Sequence, residues 1–310
     1  MLFGEHSVVY GRPCIVTAVN QRMRVTVEVT KGDGIELVAP NVGIKNFKAS
    51  ISTPLDKLPK GARFVFAAVK NFNKKYKVVS GLCIKTQSGF SSEFGFGSSS
   101  SVTVCVVKAL SQIFDIDICS NILFDICYRS VLDVQGVGSG FDIAAAIWGG
   151  TLYFVGGGKT INCITKKKMP LVVGYTGIKA DTTTLVKRVS ELRKSNLKLV
   201  DSIFDIIDSI VNMVHKLIVN NDFDNFGQLA NLNQGLLDSL GVSTPKLSDL
   251  IFAARSAGAY GAKLSGAGGG DCMIAFVSNK KRIFVEKAIE KAGGKVISIK
   301  TGAKGVKIEK

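Results

Sequence analysis

Phe94-Gly95-Phe96-Gly97-Ser98-Ser99-Ser100-Ser101 runs directly into Val102-Thr103-Val104-Cys105-Val106-Val107, which is apolar on most sides and predicts a buried helix. Glycine lets the backbone turn tightly and approach a ligand. The unpaired N–H groups of a helix's first turn, at the positive end of its dipole, favour phosphate. Serine hydroxyls add hydrogen bonds or one ligand for Mg²⁺. A flexible linker closed by a helix cap accounts for the same residues. The stretch is not a Walker A loop, because no Gly-Lys-Ser/Thr follows at the required spacing.

Two more glycine-rich sites lie downstream. Gly136-Val137-Gly138-Ser139-Gly140-Phe141-Asp142 enters the apolar Ile143-Ala144-Ala145-Ala146. Asp142 there is either a helix cap or a carboxylate that takes or orients a substrate hydroxyl proton. Lys263-Leu264-Ser265-Gly266-Ala267-Gly268-Gly269-Gly270-Asp271 precedes a strand. It reads as a hairpin turn, or as backbone packed against something bulky. Three such sites in one chain point to phosphoryl transfer.

With 310 residues, 46% hydrophobic and 21% charged, the chain has ordinary globular composition and a length that suits two domains. No apolar run reaches the roughly 20 uncharged residues of a membrane span, and no signal-like start is present. A cytoplasmic protein with no membrane partner is expected. The seven cysteines are scattered, none paired at zinc spacing, and are expected to be mainly buried, reduced thiols. The net charge of +16 raises nucleic acid as a partner. The lysines are dispersed, however, and no aromatic residues alternate with them as stacking platforms, so no nucleic-acid partner is expected.

The segments SVVY, CIVTAV, MRVTVEV and IELVA alternate in strand fashion and predict an opening β-meander. Residues 62–73 predict a helix with Phe64, Val65, Ala68, Val69 and Phe72 on one side. Further helices are predicted near 119–133, 183–195, 198–220, 224–240, 246–257 and 280–292. The last but one starts at Ser243-Thr244-Pro245, where proline suits the first turn. KKKMP near 166–170 separates a mixed first half from a helix-rich second half. The layout predicts an α+β protein with domains 1–167 and 168–310.

In this order the three sites resemble the three motifs of the GHMP kinase superfamily, which includes galactokinase, homoserine kinase, mevalonate kinase and phosphomevalonate kinase. The opening Leu2-Phe3-Gly4-Glu5-His6-Ser7-Val8-Val9-Tyr10-Gly11 closely resembles the first motif of mevalonate kinases, and Gly241-Val242-Ser243-Thr244-Pro245-Lys246-Leu247 is similar to theirs as well. The resemblance spans essentially the whole chain. It implies an N-terminal domain like ribosomal protein S5 domain 2, a ferredoxin-like C-terminal domain, and ATP and Mg²⁺ as ligands. By position, Gly95, Phe96, Gly97, Ser98, Ser99, Ser100 and Ser101, with Gly266, Gly268 and Gly269, would bind ATP. Ser99 matches the family's metal-coordinating serine.

The same resemblance matches Asp142 to the catalytic aspartate and Thr182, in Lys179-Ala180-Asp181-Thr182, to a threonine supporting it and the reacting groups. Glu5, His6, Gly140 and Thr182 fall at the substrate pocket. Taken alone, His6 could be a structural hydrogen-bonder, and His215, amid a long helix, reads as a surface residue. The activity implied is ATP-dependent phosphorylation of mevalonate at its C5 hydroxyl, by an enzyme that could be a homodimer.

The chain also departs from the pattern. Family members carry a segment reading roughly Ala-Pro-Gly-Lys ahead of the position of Met1, so a first strand and its lysine are missing from the expected set. The glutamate that binds Mg²⁺, eleven positions before the aspartate, is Val131 here, and Asp133 is out of register. Ser91 and Glu93 replace the usual proline and glycine. Residues 138–146 and 268–272 look more like phosphomevalonate kinase. That enzyme and a non-catalytic GHMP-fold binding protein remain the alternatives.

Overall fold

The computed structural model describes residues 1–78, 80–220 and 222–309. In chain order, β1 (Pro13–Thr17) is followed by β2 (Met23–Thr30), β3 (Gly34–Ala39), β4 (Ile44–Ser50), α1 (Arg63–Tyr76) and β5 (Gly81–Ser88). Helices α2 (Ser98–Ile113), α3 (Ser120–Gln135) and α4 (Phe141–Trp148) lead to β6 (Thr151–Val155), β7 (Thr160–Thr165) and β8 (Leu171–Tyr175). Helices α5 (Thr182–Ser195), α6 (Leu197–Asn220), α7 (Phe223–Ser239) and α8 (Pro245–Ser256) come next. The hairpin strands β9 (Gly261–Ser265) and β10 (Cys272–Phe276), helix α9 (Arg282–Lys291) and β11 (Lys295–Ile297) complete the order.

The chain divides into two compact units. One holds Gln21–Ser92, Phe96–Trp148 and the residues from Gly305 onward. Its sheet has the order β2-β5-β3-β4, with β3 parallel to β5 and the other pairs antiparallel. Ile35, Leu37 and Ala39 alternate inward along β3 with the period of two that a one-sided sheet requires. Helix α2 packs along β2 and against α1 and α3. Val65, Phe66, Val69 and Phe72 of α1 and Val104, Val107 and Leu110 of α2 are buried where the two helices pack, as their helical spacing demands.

The opening meander is not formed. Ser7–Tyr10 is a 3₁₀ turn, β1 pairs with β6, and β2 pairs with β5 over its whole length. Alternation marks a strand but names no partner. Here β5 takes β2 on one edge and β3 on the other.

The second unit holds Met1–Asn20, Glu93–Gly95 and Gly149–Lys304. It contains the sheet β1-β6-β7 and the antiparallel sheet β11-β8-β10-β9, with α6 lying over β1 and α7 beside β9. Within it Phe3 stacks on Phe276 (centroids 5.9 Å apart), and Phe226 meets both edge-to-face at 5.1 and 4.5 Å. Strand β9 is a sheet edge whose outward amides are capped by α7. Ala262 N–H donates to Asn231 Oδ1 (3.1 Å) and Leu264 N–H to Gln234 Oε1 (2.8 Å). Side chains thus occupy an edge that would otherwise recruit another strand. Cys14, Cys127 and Cys272 are buried, whereas Cys119 and Cys163 are exposed, the former at the N-cap of α3 and the latter on β7. Among the described residues no helix is long and apolar enough to cross a membrane.

Candidate active site

In the first unit, Gly97 caps α2 with φ +69°, and no side chain caps that end. The amides of the first turn are therefore open to an anion. Ser101 N–H already donates to Gly97 O (2.9 Å), and Thr103 Oγ1 donates to Ser99 O (2.8 Å). Asp142 lies against this turn: a Cβ on Gly97 would stand 3.1 Å from its carboxyl carbon. The glycine–serine turn and the aspartate, 45 residues apart in sequence, are neighbours.

Asp142 is the second residue of α4, inside its first turn, and Gly140 (φ +91°) accepts the Ala144 amide. Glycine, not the aspartate, ends the helix here. Asp142 is half-buried, and burial pushes its carboxyl up to about 6. Such a carboxylate is a competent proton acceptor near neutral pH. Gly140 sits on aromatic rings of α3, with a would-be Cβ 3.0 Å from Phe124 and 3.1 Å from Tyr128. Tyr128 Oη also donates to Gly138 O (2.9 Å), so α3 clamps the turn that presents Asp142.

The metal donors are sparse. Val131 is buried and apolar, and Asp133 accepts a 2.7 Å hydrogen bond from Asn71 Nδ2. Among the described residues no three His, Cys, Asp or Glu side chains cluster to form a cage. The donor set fits an ion that arrives on phosphate oxygens, keeps waters, and takes a serine hydroxyl such as Ser99.

In the second unit, Glu5 and Lys263 form a fully buried ion pair. Lys263 Nζ also donates to Leu264 O (2.6 Å), while Glu5 Oε2 has no protein partner. Burial pulls the Lys263 ammonium below its usual range. His6 follows at φ +60°, a left-handed conformation rarely taken by a residue with a Cβ. Its Nε2 lies 2.9 Å from Ala267 O, and burial lowers its pKa, which favours the neutral ring. Neutral Nε2 then carries the proton that Ala267 O accepts. This bond joins the opening motif to the third glycine loop.

That loop, residues 266–271, connects the antiparallel β9 and β10. Its glycines are packed closely, as the run of three suggested. A Cβ on Gly268 would stand 2.2 Å from Val242 O, one on Gly269 2.7 Å from Leu185, and one on Gly270 2.6 Å from Ile178 O. A Cβ on Gly266 would meet nothing within 4 Å, so the close packing belongs to the three later glycines. Thr182 is exposed at the start of α5, whose N-cap Asp181 accepts the Thr184 amide (3.2 Å) and hydroxyl (2.8 Å). Gly95 (φ +68°) abuts Asp271. His215 is half-buried, its ring 5.1 Å from Tyr153.

Sequence reasoning assigned no role to Lys263 or Asp271, although both fall inside the third motif. The available signal was a lone lysine in a short strand whose neighbours are small or apolar.

Tight glycine turns at a helix start and a hairpin, one of them against a half-buried aspartate, define a phosphate-handling α+β protein. The family of GHMP kinase N-terminal domains matches residues 63–150, and that of GHMP kinase C-terminal domains matches residues 214–295. The mevalonate kinases of Pyrococcus abyssi and Thermococcus sibiricus are each 34% identical, over 100% of this chain and 95% and 96% of theirs. The solved structure of Methanococcus jannaschii mevalonate kinase superposes with a TM-score of 0.82 at 25% identity, covering 97% of this chain and 95% of that one. The chain belongs to the GHMP kinase family.

Proposed function

We propose that this chain transfers the γ-phosphoryl group of ATP to the C5 hydroxyl of mevalonate. The observation that carries the reading is end-to-end similarity, at a third of positions, to proteins named mevalonate kinase. The first turn of α2, with Gly95, Phe96, Gly97 and Ser98 to Ser101, would hold the nucleotide phosphates, assisted by Gly266, Gly268 and Gly269. Ser99 would ligate Mg²⁺, which when bound neutralises charge on the phosphate oxygens.

Asp142 would accept the C5 hydroxyl proton as the new O–P bond forms and the bond to the ADP oxygen breaks. Thr182 would support Asp142 and the reacting oxygens. His6, with the Glu5 turn and Gly140, would read the acceptor. Since little covalent chemistry falls to the protein, positioning and charge stabilisation would supply most of the acceleration. The modules 1–167 and 168–310 are proposed as the family's two domains. The stretches matched by the two domain families fall one on each side of that boundary.

The test is ADP release with purified protein, ATP and Mg²⁺, comparing mevalonate with 5-phosphomevalonate. A kcat/KM well above that for the phosphorylated acceptor is expected. Preference for 5-phosphomevalonate would overturn the substrate, and no acceptor-stimulated release would overturn the enzyme.

A further inference from the structure

Gly266, Gly268, Gly269 and Gly270 all take positive φ, and Asp271 follows them at +50°. A left-handed backbone is disfavoured for any residue with a Cβ, so a further glycine would sit there more easily. What the aspartate gains in return is visible in its bonds. Oδ1 accepts the Ala180 amide at 2.9 Å. The Asp271 N–H donates to Ile178 O at 2.7 Å, and its carbonyl accepts the Thr176 amide (2.9 Å) and hydroxyl (3.1 Å). Oδ2 faces Gly95, where a Cβ would stand 2.7 Å away.

One buried residue therefore fastens the β9–β10 loop to the 176–180 segment and crowds position 95, where glycine stands at φ +68°. The backbone bonds do not depend on the aspartate side chain. The bond to Ala180 belongs to the side chain alone, and α5 begins two residues later at Thr182.

We infer that Asp271 is a positioning residue: its carboxylate clasps Ala180 and so fixes the entry to α5 that presents Thr182. The role of Thr182 rests on the kinase reading above, whereas the clasp itself does not. A residue kept only for turn stability makes a different forecast, because Asp271→Gly removes backbone strain while deleting the clasp.

Amide exchange at Ala180 tests the clasp directly. Exchange is expected to rise at least about tenfold in Asp271→Gly and to stay near wild type in Asp271→Asn, which offers the same acceptor and tolerates the left-handed backbone. Steady-state kinetics test the consequence. Asp271→Gly should lower kcat about tenfold or more with Tm within a few degrees of wild type, since small misplacements of catalytic groups are costly. Asp271→Asn should recover most of the loss.

Unchanged Ala180 exchange in Asp271→Gly would overturn the clasp whatever the substrate. Faster exchange with unaltered kcat would overturn positioning, and so would an Asn variant as slow as the Gly variant. Wild-type protein inactive on mevalonate would sink the functional reading instead, and the exchange result would still decide the clasp.

Discussion

At the scale of single residues, Asp142 carries the clearest forecast. Burial raises its carboxyl from the ordinary 3.8 to about 6, so the folded state prefers the protonated form. The stability this contributes is fully present below 3.8 and is lost as pH rises through about 6. As the proton acceptor it must be ionised, so kcat/KM should fall as pH drops through about 6, with an acid limb set by this group. Asp142→Asn should flatten that limb and cut turnover at least about a hundredfold. Its thermal stability at neutral pH should equal or exceed wild type, since a partly desolvated charge is removed. Normal turnover in the variant would return Asp142 to a structural role.

Gly97 belongs to the same scale. Valine there would meet both a left-handed φ of +69° and the Asp142 carboxyl carbon 3.1 Å from its Cβ. We expect Gly97→Val to weaken ATP binding at least about tenfold in a calorimetric titration, because the turn must open before the α2 amides can meet phosphate. Unchanged nucleotide affinity would remove the 95–101 turn from the site.

At the scale of elements, β9 shows how a polar side chain comes to be built into a buried strand. Asn231 and Gln234 of α7 cap its edge amides, and Arg255 Nη2 donates to Ala262 O at 2.6 Å. Lys263 points inward to Glu5. Removing one member of a buried ion pair leaves the other charge without compensation and typically costs about 3–5 kcal/mol. Lys263→Met should therefore lower the urea unfolding free energy by that order. Adding Glu5→Gln should recover most of the loss, because the charge left behind is then gone. A double variant as unstable as Lys263→Met would mean that packing of the lysine stem, not charge, sets the cost.

The elements themselves were largely legible. The helix starting at Thr244-Pro245 appears where predicted, with Thr244 Oγ1 accepting the Leu247 amide at 3.3 Å, because cap and proline act within one turn. Ser7–Tyr10 reads as a strand in the sequence but is a 3₁₀ turn. Its apolar Val8 and Val9 suit either state, and the bonds from Val9 to His6 O and Gly11 to Val8 O settle the turn.

At the scale of the whole molecule, the charge of +16 separates two kinds of partner. A nucleic-acid binder would hold a polyanion through many phosphate contacts. Dispersed lysines serving solubility and a triphosphate would not, and their weak polyanion affinity should vanish as salt displaces it. We expect no retention of single- or double-stranded DNA in a filter assay at physiological salt. Retention that persists there would reopen the nucleic-acid reading.

The sequence by itself determined the α+β class, nearly all the helices, the three glycine turns and the family. Each of these rests on periodicity, caps or short motifs that act over a few neighbouring residues. Tertiary structure decided what lies next to what. It set Gly97 on Asp142, His6 on Ala267, Glu5 on Lys263, and Asp271 between Ala180 and Gly95. These neighbours are 45 to 261 residues apart in pairs such as Gly97 with Asp142 and His6 with Ala267. No local pattern encodes such a pairing, because a turn's own residues fix its backbone but not the surface it meets. The partners of Glu5, His6 and Asp271 were chosen when β9, β10 and the opening segment packed together and their inward polar groups met counterparts.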